Sequence, residues 1–116
     1  SIVQQVVGSA GEIPVIVLDP GLERLLQQTL TNAGEYGAGI EPGMLEQLQR
    51  AMQEASRQQE VSGMDSVLLV SASIRPWMAR FARQSVPGAR VLSYYEIPDN
   101  RQIKVINTIG RSSTEA

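Results

Sequence analysis

The chain contains neither cysteine nor histidine. Without cysteine it has no disulfide, no thiolate nucleophile and no thiolate metal site. Without histidine it lacks the usual general base at neutral pH and the commonest metal ligand. No apolar run approaches the roughly 20 residues needed to span a bilayer, and no signal-peptide pattern opens the chain. Excess charge is lacking too: 10 basic against 12 acidic side chains give a net charge of −2. That balance weighs against a dedicated nucleic-acid binder, which needs a concentrated positive surface. The missing cysteine fits a cytosolic setting.

What remains suits one globular domain. A chain of 116 residues with 42% hydrophobic residues can bury roughly two-thirds of its unfolded surface without a metal or disulfide. It starts at Ser1, which is not an initiator methionine, so a fragment of a longer protein is expected. Residues 1–10 read as the tail of a preceding helix or strand running into the linker Gly8-Ser9-Ala10-Gly11, residues 11–110 as the domain, and residues 111–116 as a disordered tail.

Ile13 to Leu18 is a β-branched run that fits a strand covered on both faces, and Pro14 suits an early or edge position in it. Asp19-Pro20 marks a helix start, with a side-chain acceptor at the N-cap and proline just after it. The helix that follows is expected to put Leu22, Leu25, Leu26 and Leu30 on one face and to be capped by Gly34. Pro42 opens a longer helix whose inward face is Met44, Leu45, Leu48, Met52 and Ala55 and whose outer face carries Glu46, Arg50 and Glu54. VLLV (67–70) is a second strand. Ser73 is expected to cap a third helix bearing Ile74, Trp77, Met78 and Phe81 on its apolar side. Val91 to Tyr95 reads as a third strand, Pro98-Asp99-Asn100 as a turn, and Gln102 to Ile109 as a fourth strand. The order β-α-α-β-α-β-β predicts an α/β domain: a four-stranded mixed sheet of three parallel strands and an antiparallel last one, packed with three helices.

Ligands of open α/β sheets collect beyond the carboxyl ends of the strands, where Asp19, Ser71, Ser73, Arg75, Tyr94, Tyr95 and Glu96 should meet. Two carboxylates, a guanidinium and a phenol could bind a small anion or do acid–base work. The simpler reading is that Asp19 and Ser73 cap helices while Arg75 pairs with Glu96 or a backbone carbonyl. A serine nucleophile would have no histidine base and no G-x-S-x-G elbow. The glycine-rich stretch GEYGAG (34–39) follows a helix and lacks a phosphate-loop lysine, so a helix–helix connection is expected. Arg80 and Arg83 should point outward and Trp77 inward. Tyr94 and Tyr95 should alternate across a strand, one in and one out. No residue pattern calls for a cofactor or a metal.

Four segments, IPVIVLDPGLE, GAGIEPGMLEQL, VLLVSASIRPWMARF and VPGARVLSYYEIPDNRQIKVINTIG, together resemble the C-terminal end of the FlhA (FHIPEP) family of flagellar type III export proteins, over about residues 11–110. The resemblance implies the last subdomain of the cytoplasmic region of a multi-pass inner-membrane protein, with membrane contact only through an N-terminal part outside this chain. It implies no catalysis. The implied partners are export chaperone–substrate complexes, soluble export components, other membrane export-gate proteins and neighbouring copies in a homo-oligomeric ring. Contact residues are then expected on the exposed parts of Arg75, Arg80, Arg83, Tyr94 and Tyr95. The alternative is a small ligand-binding or enzyme domain built on Asp19, Arg75 and Glu96.

Overall fold

In the computed structural model, residues 12–33 and 40–110 are described. The expectations for residues 1–10, the Gly34 cap, the GEYGAG loop and the 111–116 tail lie outside them. The elements are strand β1 (Glu12–Leu18), helix α1 (Pro20–Ala33), helix α2 (Pro42–Val61), strand β2 (Val67–Val70), helix α3 (Arg75–Ser85), strand β3 (Arg90–Ser93), a 3₁₀ turn (Tyr94–Glu96) and strand β4 (Gln102–Ile109). One four-stranded sheet runs in the order β3-β2-β1-β4.

All pairings are parallel, including β1 with β4, so the expectation of an antiparallel last strand is corrected. A tight hairpin would have bound β4 to β3, which offers only four residues. Instead β4 matches β1 at seven positions, from Glu12↔Gln102 to Leu18↔Ile109. From Ser93 to Gln102 the chain crosses three strand spacings, roughly 14 Å, and returns six residues, roughly 20 Å, along the strands; the resulting distance of about 24 Å is within the roughly 30 Å that nine Cα steps reach. The crossing covers the sheet face turned away from the helices. Ile97 packs there with Ile13, Val15, Val67, Leu69, Val17, Leu92 and Ile103.

The helices cover the other face. Ile16, Leu18, Leu68, Val70, Val91 and Ile109 meet Leu26 and Leu30 of α1, Leu48, Met52 and Ala55 of α2, and Met78 and Ala82 of α3. Alternate residues of β1 therefore serve two cores, which explains its unbroken apolar run. Pro14 precedes the stretch of β1 that β2 flanks, so its missing N–H disturbs the ladder little. The inward face of α2 is as expected, with Met44 and Leu45 partly buried. Its outer face carries the pairs Glu46–Arg50 at 3.5 Å and Glu54–Arg57 at 2.6 Å. Leu25 differs from expectation: it lies on the rim of the α1 stripe and is exposed. Trp77 is buried and stacks on Phe81 with ring centroids 5.0 Å apart.

Candidate functional site

The strand tips converge, and each tip ties its polar groups into the fold. At the end of β1, Asp19 Oδ2 accepts the N–H groups of Gly21 (3.0 Å) and Leu22 (3.3 Å), while the Asp19 N–H donates to the Ile109 carbonyl at 2.7 Å. The Asp19 carboxylate is the cap of α1 that the Asp-Pro pair suggested.

At the end of β2, the Ser71 N–H donates to Glu23 Oε2 at 2.6 Å, and Gln27 Nε2 donates to Ser71 Oγ at 2.8 Å. Ser73 Oγ lies 3.4 Å from Ser71 Oγ. Ser73 does not cap α3, as had been expected. Ile74 takes the N-cap position without a side-chain cap, and the turn is closed by backbone bonds from Ile74 to Ser71 and from Arg75 to Ala72. Pro76 in the first helical turn leaves fewer N–H groups to be capped.

At the end of β3, Glu96 Oε1 accepts both the Ser93 N–H at 2.8 Å and Arg75 Nε at 2.6 Å. The backbone bond from Ser93, reinforced by Arg75, holds the Glu96 carboxyl below its ordinary value. Ser93 and Glu96 form a capping box, so the chain leaves the strand after Ser93 and turns. Tyr94 and Tyr95 therefore do not alternate across a strand. Both face solvent, at 48% and 88% exposure. Partial burial, with the negative charge of Glu23 adding to it, pushes the Tyr94 phenol up from its ordinary value.

The structure thus gathers Asp19, Ser71, Ser73, Arg75, Tyr94, Tyr95 and Glu96 at one end of the sheet. Arg75 is committed to Glu96, as the simpler reading held, and its side chain is 38% exposed. Arg83 is exposed and Arg80 half-buried. Arg83 lies about 12 Å further along α3 than Arg75 by helical rise, so it does not join the tyrosine turn. Glu23 and Gln27 escaped the sequence reading: their four-residue spacing places them on one flank of α1 but does not point to Ser71. Among the described residues no group of acidic side chains is arranged to hold a metal.

Comparison with known proteins agrees with this architecture. The FHIPEP family pattern matches residues 1–102. The chain belongs to the FHIPEP family. The flagellar biosynthesis protein FlhA of Yersinia enterocolitica is 47% identical over 110 residues, 95% of this chain. FlhA of Salmonella typhimurium is 44% identical over 110 residues, also 95% of the chain. The chain spans 15% of the length of each of these FHIPEP relatives. Among solved structures, Shigella flexneri MxiA superposes with a TM-score of 0.68 at 26% identity, covering 93% of this chain and 33% of that one. Nonameric SctV-C from EPEC gives 0.65 at 22% identity, covering 93% and 32%, and speaks for the fold alone. The strand-tip network described above is thus a feature of an FHIPEP domain.

Proposed function

We propose that this chain is a non-catalytic docking domain of the bacterial flagellar type III protein-export gate. In this reading it sits at the cytoplasmic face of the inner membrane, and membrane contact comes only from parts of the polypeptide outside this chain. Among the described residues, no helix is long and apolar enough to cross a membrane. Its partners are export chaperone–substrate complexes, soluble export components, other export-gate proteins and neighbouring copies in a ring. Kinship supports the setting: relatives named as flagellar biosynthesis proteins match 95% of the chain. The fold alone is shared with nonameric SctV-C and with CdsV in its complex with CdsO, at 22% and 24% identity; the ring and the partners are part of the proposal.

One observation carries the reading to residues. The Ser93–Glu96–Arg75 hydrogen bonds fix a turn whose polar anchors bond to one another, and both of its aromatic side chains stay in solvent. A rigid, exposed aromatic pair offers contact area at low entropy cost, which suits an interface anchor. The rival, a ligand or reaction site on Asp19, Arg75 and Glu96, would compete with the α1 cap on Asp19 Oδ2 and with the bond of Arg75 Nε to Glu96 Oε1. The test is motility of cells whose complete export protein carries Tyr94→Ala and Tyr95→Ala together. Reduced swarming at unchanged protein level is expected. Full motility of the double variant would contradict the assignment of the turn.

A further inference from the structure

The tip of β2 leaves hydrogen-bond acceptors unspent beside the tyrosine turn. Val70 of β2 pairs in register with Ser93 of β3. The residues that follow, Ser71 and Tyr94, therefore leave the sheet side by side, about 4.8 Å apart. Glu23 reaches this corner from α1: its Oε2 accepts the Ser71 N–H at 2.6 Å, and its Oε1 accepts no bond among the described residues. Gln27, the next turn along α1, donates its Nε2 to Ser71 Oγ at 2.8 Å, and its Oε1 also lacks a donor among the described residues. Both side chains are half-buried, and neither free oxygen is among the polar atoms sealed from solvent. The charge of Glu23 lies near enough to Tyr94 to help push its phenol up.

The local amide donors are thus consumed inside the fold, and what stays open accepts. The charges run the same way. Asp19, Glu23 and Glu96 stand against Arg75 at the strand tips, and Arg75 is bonded to Glu96. Arg24, the adjoining cation on α1, is exposed and turned about 100° round the helix from Glu23. Among the described residues no cation pairs with Glu23 and no acidic group is arranged for a metal. The corner therefore suits an organic cation that carries its own donors.

We propose that this corner receives an arginine side chain of a polypeptide partner, the guanidinium lying on the exposed ring of Tyr94 and donating to Glu23 Oε1 and Gln27 Oε1. A guanidinium supplies the charge, the several donors and the flat face that this combination calls for, whereas an ammonium has no flat face to stack. The inference deepens the docking role of the tyrosine turn and rests on that reading for the source of the partner. The recognition chemistry can be tested apart from it.

The experiment titrates the ¹⁵N-labelled chain at pH 7 and low salt with acetyl-Gly-Arg-Gly-amide, and with versions carrying glutamine or glutamate in place of arginine. Saturable shifts of the Ser71, Tyr94 and Tyr95 backbone amides and of the Gln27 side-chain amide are expected with the arginine peptide. The other peptides should bind at least about fivefold more weakly. Glu23→Gln keeps an acceptor for the Ser71 N–H and removes the charge, so it should weaken the arginine peptide about threefold or more. Glu60→Gln, which removes an exposed charge on α2, should not. Tyr94→Leu, at an exposed position, guards against a Glu23 variant that fails to fold and should also weaken binding, while Tyr94→Phe keeps the ring and should not. Equal binding of all the peptides, or an affinity unchanged in both Glu23→Gln and Tyr94→Leu, would overturn the proposal. If that happened while the Tyr94→Ala, Tyr95→Ala double variant still lost motility, the turn would remain a docking surface of other chemistry. Full motility of the double variant beside intact arginine binding would strike the export role of the turn instead.

Discussion

Arg75 Nε lies 2.6 Å from Glu96 Oε1, joining the first turn of α3 to the turn that follows β3 across 21 residues of sequence. Both side chains are about 40% exposed, so solvent screens the pair, and exposed pairs typically contribute about 0.2–1 kcal/mol. Arg75→Ala should therefore lower stability by no more than about 1 kcal/mol, as measured by urea unfolding. A loss well above that would mean that Arg75 carries structure beyond this bond.

The same carboxylate gives a pH dependence. Glu96 is held below its ordinary value of 4.5, first by the Ser93 N–H and then by Arg75. A lowered folded value means that the unfolded chain binds the proton more readily. Its contribution is thus complete above pH 4.5 and fades as pH falls through the lower folded value. Denaturation curves at neutral pH and near pH 3 should lie further apart for the wild type than for Glu96→Gln. Parallel acid losses in the two would contradict the assignment.

Asp19→Ala removes the acceptor of two α1 N–H groups and should cost about 0.5–2 kcal/mol, with Asp19→Asn closer to neutral. If Asp19 served a ligand and not the helix, alanine would leave the melting temperature unchanged.

The crossing beneath the sheet gives a fourth check. Ile97→Ala strips a partly buried side chain from the second core and should cost about 1–3 kcal/mol, toward the low end of the roughly 2–5 kcal/mol for fully buried isoleucine. No effect would argue that residues 94–101 do not cover that face.

Gly110 ends β4 with φ near 99°, and a Cβ there would lie 2.6 Å from Leu22 Cδ2. Gly110→Ala should destabilise by about 1–3 kcal/mol from backbone strain alone, with crowding added. A thermal melt equal to wild type would refute that packing.

Much of this architecture was legible because local chemistry and global packing agree. The two-faced burial of β1, the Asp19 cap, the inward face of α2, the core position of Trp77 and the Arg75–Glu96 pair all follow from short-range patterns. The direction of β4 did not, because a short connection suggests a hairpin while the longer match with β1 is non-local. Ser73 looked like a cap by residue type, but backbone bonds and Pro76 closed that turn. Tyr94 and Tyr95 looked like strand residues until the Ser93–Glu96 box took the chain out of the strand. Glu23 and Gln27 bond to Ser71 across 48 and 44 residues, a pairing no local pattern encodes. At the site, the sequence named the residues that gather at the strand tips, and the structure added which of them remain available.

The central claim is that the exposed tyrosine turn meets the export machinery. A photo-crosslinking amino acid placed at position 95 of the complete export protein, in flagellated cells, tests it most directly, with the exposed α2 position Arg50 as the control. Adducts at position 95 identified by mass as an export component or a second copy of the protein, and absent at position 50, are the expected result. Position 95 giving no such adduct, or none beyond those seen at position 50, would contradict the account.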